Sequence, residues 1–489
     1  MRRLLSTLSL SLSLSLSLFP FVLCVTVFAL YIPALFFLQH YHRDTTYTIL
    51  IDGSPKRFGF PLYVWSDAQD YVTLTENLIN HRTFSLAPQE PHIPDAYRTP
   101  GYVVIVAALT LIFDSYLAVS AFQIFLVALT GILLFKMGKR LLPAWAAFGA
   151  ALLYVLDPAV IERSFQVMTD TLFVFLLMLA VYIVFFSVWS TNKTVMLGAG
   201  LILGSMILVR PVGVFVPGLL AIVYGIAKRR EMSTKALLGT ISLLLFGSTL
   251  VVGPWLIRNK KMFGVFNLAS NGAAHMLFWN VSSFHSTKTG ESVGDINEMF
   301  AAEAGLSLAG EETTKYPGGF GWFAERTSLR NSHLLIPLTR KYIMEDPVGY
   351  AKFHVVKTLP FFVASSIRNS FIYDIFFKKT QSPNLANALL KGEWRNLHAG
   401  LKSITLLTVE RFGRLLIFLL GLIAIAFSWR RESIVLLCCA LVLYFAVVTG
   451  PASYDYERFR LPAQPFMFLL GGMGAKILWD KYKEKLWLP

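Results

Sequence analysis

Two polar stretches, SDAQDY at residues 66–71 and YRTPGY at residues 97–102, follow the first long apolar segment of the chain. If a helix begins at the first stretch, Asp67, Asp70 and Tyr71 occupy positions i, i+3 and i+4, so two carboxylates and a phenol share one face. This pattern predicts a functional site for which the rest of the chain is the scaffold. A helix that lies on the membrane surface, with acids that complement its own dipole, is the simpler alternative.

Composition places the chain among polytopic membrane proteins. Hydrophobic residues make up 55% of its 489 residues and charged residues only 15%, and several apolar runs are longer than a buried core helix needs. The net charge of +15 suits an anionic bilayer surface or a lipid phosphate. Because no nucleic-acid-binding motif accompanies that charge, we expect no nucleic acid as a partner. All three cysteines lie in apolar runs, so the polar loops have no thiols for a disulfide framework or a metal site.

The apolar pattern predicts about ten membrane-spanning helices, within a range of ten to thirteen, and hence an all-α polytopic membrane protein. Five basic loops or tails fall on the same side of this topology as Arg2 and Arg3, which indicates that both termini are inside. The predicted spans are Phe19–Leu38, Leu117–Phe135, Trp145–Ile161, Thr171–Trp189, Val195–Val209, Val212–Ala227, Leu237–Leu256, Leu415–Trp429, Ile434–Val448 and Ala463–Leu478.

Two apolar segments are interpreted as interfacial or re-entrant helices and not as spans. Gly101–Phe113 is too short to cross the hydrocarbon, and Ala351–Phe377 is interrupted by charges and a proline. The chain then divides into an N-terminal transmembrane core, a long outer segment with interfacial helices, and C-terminal transmembrane helices. Their boundaries are residues 1–257, which include a catalytic outer loop at 39–114, residues 258–410 and residues 411–489.

Ionisable side chains gather on the predicted outer side, where a lipid phosphate would lie. Arg98 precedes a short apolar helix and can bind phosphate oxygens through two N–H groups, although an arginine anchoring a helix would look the same. Asp170 begins a span on the face that carries Asp67, where a helix N-cap is the ordinary interpretation. Three more arginines stand beside aromatic residues at outer ends of spans, as interfacial anchors also do: Arg258, Arg458 and Arg460.

The order of these motifs resembles the GT-C superfamily of integral-membrane glycosyltransferases, closest to the branch of the protein O-mannosyltransferases and the lipid A aminoarabinose transferase. The motifs are DxxxY at 67–71, RTPGY at 98–102, DP at 157–158, TD at 169–170, LVRP at 208–211, PWLIRN at 254–259 and ERFRLP at 457–462. The likeness covers nearly the whole chain and implies a GT-C-like helix bundle with juxtamembrane helices on the outer face.

Two features depart from the protein mannosyltransferases that the chain resembles. The protein mannosyltransferases share an Asp-Glu pair at this position, whereas Asp67 is followed here by Ala68. In addition, we find no MIR-like or tetratricopeptide domain. Both departures argue against a eukaryotic-type protein mannosyltransferase and leave the acceptor open.

The resemblance implies an inverting transferase that uses a polyprenyl-phosphate-linked sugar on the outer leaflet. Asp67 matches the family's catalytic position and would take the proton of the acceptor hydroxyl. Asp170 matches the second acidic position, where it would orient the acceptor, an arginine or a bound cation. Arg98 matches a position that stabilises the lipid phosphate. Further phosphate-binding candidates are Arg258, Arg458 and Arg460, and the supporting residues are Asp70, Tyr71, Tyr97 and Tyr102.

Besides the donor, no cofactor is firmly implied, and a divalent cation held by Asp67 and Asp170 stays open. The expected partners are the bilayer, the polyprenyl-phosphate sugar and an acceptor that is a lipid, a glycan or a protein. The expected location is a bacterial plasma (inner) membrane, with the active site on the periplasmic or extracellular side.

Two rival functions are a transporter or flippase of lipid-linked sugars and an O-antigen ligase-like enzyme. A transporter should hold ionisable groups at the membrane midplane, whereas these gather at one face. The early DxxxY and RTPGY motifs are not expected of a ligase.

Overall fold

The computed structural model describes residues 2–41, 47–51, 54–58, 66–87, 90, 92–308, 325–368, 394–428, 433–450 and 455–486. Helices dominate these residues, and the strand pairing among them is one antiparallel hairpin that the sequence did not predict. The hairpin consists of β1, Tyr47–Ile51, and β2, Ser54–Phe58.

Twenty α-helices have bounds within the described residues. They are α1 Arg2–Tyr41, α2 Ser66–His81, α3 Pro100–Phe113, α4 Leu117–Gly138, α5 Ala144–Val155, α6 Pro158–Phe165, α7 Asp170–Val181, α8 Lys193–Val209, α9 Val216–Lys228, α10 Thr234–Phe263, α11 Asn271–His275, α12 Ser282–Thr289, α13 Val293–Glu303, α14 Ser332–Glu345, α15 Pro347–Thr358, α16 Pro360–Val363, α17 Trp394–Ser428, α18 Ser433–Thr449, α19 Tyr456–Arg460 and α20 Gln464–Leu486. A π-helical turn, Tyr182–Phe186, continues α7, and another, Met276–Val281, connects α11 to α12.

The membrane-protein class is confirmed. Among the described residues, five helices are long and apolar enough to cross a bilayer, and α5 with α6 makes a sixth if that pair, bent by 50°, is one span. The five are Leu18–His40, Leu117–Gly138, Pro211–Lys228, Thr234–Phe263 and Ile404–Ser428. The other predicted spans also fall on helices, but these are either shorter or carry a charged end, so the count of about ten crossings stays a prediction.

Several helix starts follow directly from local sequence. Asn192 accepts hydrogen bonds from the backbone N–H groups of Thr194 and Val195 at the start of α8. Ser233 accepts one from the N–H of Ala236 at the start of α10. These side-chain oxygens satisfy backbone donors that the first turn of a helix cannot pair internally.

The chain forms two compact units that interleave along the sequence. The first unit contains residues 1–32, 124–164 and 358–489, and the second contains residues 33–123 and 165–357. This division differs from the three consecutive segments that the sequence suggested, which were drawn from spans and loops and not from packing. Those segments stay a prediction about membrane topology.

In the second unit, α8 and α10 pack closely through glycine. A Cβ atom on Gly200 would overlap the carbonyl oxygen of Leu244, and one on Gly247 would lie 2.6 Å from the carbonyl oxygen of Leu197. Small residues at such crossings let two apolar helices approach until their backbones touch, which is how helices commonly associate in membranes. The pair is therefore fixed by the absence of side chains at these positions.

Outside the apolar helices, the second unit has a small helical core formed by α11 to α14 and the π-turn between α11 and α12. Its buried side chains include Phe278, Phe300 and Leu335, and Tyr342 packs against the ring of Phe300 at 4.5 Å. Arg326 forms two hydrogen bonds with the Glu298 carboxylate, at 2.7 and 3.0 Å, beside this core. This part of the predicted outer segment thus has a core of its own.

We expect Gly200→Val to lower the thermal midpoint of the protein in detergent, because the added side chain forces α8 and α10 apart. Overpacking of this kind costs about 1–3 kcal/mol. Gly198→Val is the matched control, since it adds the same β-branched residue to the same helix where a Cβ meets no atom within 4 Å. Equal losses in the two variants would contradict the packing role of Gly200.

Reporter fusions should test the topology. We expect fusions after Lys139 and after Arg230 to report the cytoplasmic side, because both follow basic loops. A fusion at Thr289, which ends α12, should report the opposite side. A cytoplasmic reporter at Thr289 would contradict the shared outer face on which the predicted site depends.

Candidate functional site

The Arg98 side chain is the centre of the candidate site in the second unit. Its Nη2 atom donates to Asp67 Oδ1 at 2.5 Å and to Asp70 Oδ2 at 2.7 Å, and its Nε atom donates to Asp70 Oδ2 at 3.0 Å. The side chain of Arg98 is 9% exposed, that of Asp70 17% and that of Asp67 23%. A buried guanidinium is therefore neutralised by two carboxylates, of which Asp67 is the more accessible.

Three tyrosines surround this cluster, all of them predicted as supporting residues. The guanidinium carbon of Arg98 lies 4.7 Å from the ring centre of Tyr97 and 5.4 Å from that of Tyr71. Tyr71 in turn packs edge-to-face on Tyr102 at 5.0 Å. Aromatic faces attract a cation and exclude water from it, so the rings fix the orientation of the guanidinium.

Local sequence explains how the two halves of the site are placed. Asp67 and Asp70 lie on one face of α2, as their spacing predicted. Arg98 lies just before α3, where Thr99 has an extended backbone and Pro100 is the first helical residue. A Cβ atom on Gly101 would lie 2.7 Å from the backbone of Leu208, so the RTPG sequence lets α3 start against α8.

Burial changes the acid–base behaviour of two carboxyl groups here. It raises the pKa of Asp70 to about 6, although the adjacent Arg98 opposes the shift. Burial also raises the pKa of Asp95 to about 6, against a hydrogen bond that its carboxylate accepts from the backbone N–H of Tyr97. Asp95 was not among the predicted residues. Perturbed carboxyls beside a partly exposed acid are typical of functional sites.

Asp170 forms a separate ion pair with Arg210. The Asp170 side chain is fully buried, Arg210 is 12% exposed, and Arg210 Nη1 donates to Asp170 Oδ1. The guanidinium of Arg210 also lies 5.8 Å from the ring centre of Phe173. Arg210 is not among the predicted site residues, so the sequence missed this partner of a predicted catalytic acid, although the TD and LVRP motifs contain both residues.

Arg258 supports the loop that carries Tyr97 and Arg98. Its Nη1 atom donates to the backbone carbonyl of Asp95 at 2.7 Å, and its guanidinium lies 4.4 Å from the ring centre of Trp255. In the structure described here, Arg258 is bound to this loop, and its predicted role in phosphate binding stays a proposal.

Arg458 and Arg460 belong to the first unit. Arg460 is fully buried: its Nη1 donates to the carbonyls of Phe361 and Ala364, at 3.1 and 2.8 Å, and its Nη2 to Ser366 Oγ at 3.1 Å. Arg458 is also buried, with its guanidinium 5.6 Å from the ring centre of Phe459. These contacts give Arg460 the role of a loop anchor in this structure.

The first unit contains a second buried ionic cluster that the sequence did not predict. Arg414 Nη2 donates to Asp157 Oδ2, Glu410 Oε1 and Ser366 Oγ, each at 2.7 Å. Gln464 Nε2 donates to Asp157 Oδ2 at 2.6 Å. Asp157 lies at the bend between α5 and α6, so these bonds tie the bend to α17 and α20.

No group of three or more His, Cys, Asp or Glu side chains is arranged to hold a metal ion in the described part of the chain. Asp67 and Asp170, the two acids considered for a cation, are each paired with an arginine. A cation at these residues would have to compete with those guanidinium groups.

Comparison with protein families matches residues 97–257 to the dolichyl-phosphate-mannose-protein mannosyltransferases. The match begins at Tyr97, includes Arg98, Asp170 and Arg210, and ends just before Arg258. The predicted resemblance to the GT-C glycosyltransferases is confirmed over this segment. Asp67 and Asp70 precede the matched segment but bond directly to Arg98 within it.

Among solved structures, the chain is similar to the archaeal oligosaccharyltransferase AglB from Archaeoglobus fulgidus, in complex with an inhibitory peptide and a dolichol-phosphate. The sequences are 15% identical, the TM-score is 0.42, and the similarity covers 86% of this chain and 48% of that chain. The chain thus spans about half the length of this structure. Comparison with curated proteins gave no significant match.

The titration of Asp70 predicts a specific pH dependence of stability. Because its pKa is raised from an ordinary value of 3.8 to about 6, its stabilising contribution is full below pH 4 and lost as the pH rises through 6. Relative to Asp70→Asn, which cannot titrate at this position, the free energy of unfolding of the wild type should rise by about 1 kcal/mol as the pH falls from 7 to 5. Thermal midpoints of both proteins at the two pH values measure this difference. The same pH dependence in both would show that Asp70 does not titrate in this range.

Proposed function

We propose that this protein is an inverting glycosyltransferase that moves a sugar from a polyprenyl-phosphate-linked donor to a hydroxyl group of an acceptor. The observation that carries the proposal is the Arg98 cluster, in which a partly exposed carboxylate and a buried guanidinium are bonded to each other. In this pair, the Asp67 carboxylate could take the proton of the acceptor hydroxyl, and the Arg98 guanidinium could bind a lipid phosphate. The match of residues 97–257 to dolichyl-phosphate-mannose-protein mannosyltransferases supports the same reaction class.

In the proposed reaction, the acceptor oxygen attacks the anomeric carbon of the sugar from the side opposite the phosphate. A new C–O bond forms as the bond between the anomeric carbon and the phosphate oxygen breaks. The phosphate leaves with the bonding electrons, and the acceptor proton passes to the Asp67 carboxylate. Direct displacement inverts the anomeric centre and needs no covalent intermediate, unlike a retaining enzyme.

Asp67 is the better choice for the base because it is the more exposed of the two acids on α2. Its side chain is 23% exposed, and one of its oxygens is bonded to Arg98 at 2.5 Å. This bond holds the carboxylate in one orientation, which favours proton transfer from a hydroxyl placed nearby. Asp70 accepts two hydrogen bonds from Arg98 and is assigned to positioning that arginine.

Arg98 is assigned to the donor phosphate. Its Nε and Nη2 atoms are used by the two acids, while Nη1 has no acceptor within the described residues. A phosphate oxygen that bonds to Nη1 would gain a charged hydrogen bond that strengthens as negative charge develops on the leaving group. Arg258 and Arg460 donate to backbone carbonyls in this structure, and Arg458 lies beside the ring of Phe459, so these three arginines are secondary candidates.

Several parts of the proposal rest on the predicted topology. The site would lie on the outer face of a bacterial plasma membrane, and the acceptor would be a lipid, a glycan or a protein. Asp170, bonded to Arg210, would support the acceptor side of the site. The donor lipid would be supplied by the bilayer in which the protein is embedded.

Asp67→Asn should separate catalysis from scaffolding. The amide keeps the size of the carboxylate and can accept a hydrogen bond from Arg98, but it cannot take the acceptor proton. We expect the rate at saturating donor to fall by roughly 10² to 10⁴, measured as sugar transferred per folded enzyme in liposomes.

Asp70→Asn is the matched control, because the same change on the same helix also weakens a bond to Arg98. We expect a smaller loss of rate and a higher donor requirement, as suits a positioning residue. Equal, mild losses in the two variants would contradict the assignment of Asp67 as the base. Full activity of Asp67→Asn would exclude it from the reaction.

A further inference from the structure

Helix α15, Pro347–Thr358, has an exposed apolar stripe on the side opposite its packed face. Val348, Val355 and Val356 are 75%, 62% and 61% exposed, and they lie on one side of the helix with Lys352 between them. In water, such a stripe would be unfavourable, because removing a valine side chain from water lowers the free energy of the system. The stripe therefore calls for an apolar environment.

The opposite face of the helix is already occupied. Phe353 is buried, with its ring 5.5 Å from that of Phe284, and Tyr350 packs edge-to-face on Phe284 at the same distance. Tyr350 Oη is also hydrogen-bonded to Asn280 Oδ1 at 3.1 Å. Because these contacts fix the rotation of α15, the exposed stripe cannot turn inward onto the same core.

The chain itself brings the end of this helix to the membrane. Leu359 follows α15 directly and is 58% exposed. Phe362, three residues further on, has its ring 4.7 Å from the ring of Phe418. Phe418 belongs to Ile404–Ser428, one of the helices able to span a bilayer. Since three residues extend at most about 11 Å, Leu359 must lie close to the bilayer.

The charges beside the apolar side chains are positive. Lys352 lies within the stripe of α15, and neither it nor Arg340 of α14 forms an ion pair within the described residues. Helix α14 has the same arrangement, with Ile336 and Met344 exposed on either side of Arg340 at intervals of four residues. Aliphatic residues interspersed with unpaired basic residues are typical of helices that lie in the headgroup region of anionic bilayers.

We propose that the exposed stripe of α15 docks on the surface of the bilayer and binds anionic phospholipid headgroups through Lys352. The valines enter the boundary between headgroups and acyl chains, and the lysine extends to the phosphate level. This contact fixes the helical core of the second unit against the membrane. The proposal concerns lipid binding and does not depend on the transferase activity.

Fluorescence quenching in nanodiscs tests the proposal on the full chain. After replacement of Cys24, Cys438 and Cys439 by alanine, an environment-sensitive fluorophore is attached at Val355→Cys and, as a matched control, at Thr289→Cys. Thr289 is exposed at the end of α12. A doxyl-labelled lipid quenches fluorophores in the bilayer, and iodide quenches those in water.

We expect the fluorophore at position 355 to be quenched by the doxyl lipid and protected from iodide, with the reverse at position 289. Quenching by the doxyl lipid should be stronger in discs containing phosphatidylglycerol than in discs of phosphatidylcholine alone. Lys352→Glu should remove most of this difference, and Lys352→Gln is a second variant should the first not fold. Size-exclusion elution confirms that each labelled protein is intact.

Three results would overturn the proposal. Iodide quenching at position 355 equal to that at position 289 would place the stripe in water. Protection from both quenchers would mean that protein covers it, either a second copy of the chain or a bound partner. Lipid quenching that is independent of phosphatidylglycerol and of Lys352→Glu would exclude recognition of anionic headgroups.

Discussion

The buried guanidinium of Arg98 is the constraint on which the candidate site depends. A charge removed from water is costly unless it is paired and hydrogen-bonded, and here two carboxylates from one helix supply that pairing. Because Asp67 and Asp70 are one turn apart, only a helix places both within reach of a single side chain. Loss of both carboxylates would leave the buried guanidinium uncompensated, so the site's own ion pairs hold α2 and the loop before α3 together.

The loop that carries Arg98 is held in place by backbone groups as much as by side chains. Tyr97 and Arg98 lie on a loop whose carbonyl at Asp95 accepts a bond from Arg258, while the backbone N–H of Ser270 donates to the carbonyl of Ala96. In the proposed role, a side chain that binds a lipid phosphate would need such support, because small displacements weaken electrostatic stabilisation. Arg258 therefore has a clear structural task, whether or not it also meets the donor.

In the ionic cluster of the first unit, buried charges are likewise paired with opposite charges. Asp157, Glu410, Arg414 and Arg460 carry two negative and two positive formal charges, and hydrogen bonds connect each of them to Ser366 or to a residue bonded to it. Such balanced clusters contribute less to stability than their bond count suggests, because desolvation offsets the attraction. They do restrict which elements pack together, since each charged group accepts few alternative partners.

Composition and apolar run lengths were enough to determine the membrane class, and helical spacing was enough to predict that Asp67, Asp70 and Tyr71 share a face. Motif order predicted Arg98 as a site residue. The sequence could not show that Arg98 bonds to those acids, that Asp170 pairs with Arg210, or that Asp157 pairs with Arg414 across 257 positions. These pairings join residues far apart in the chain, and an arginine at a helix end has the same local signature whether it binds a lipid, an acid or a carbonyl. Only the tertiary structure, which decides the partners that desolvation requires, distinguishes these cases.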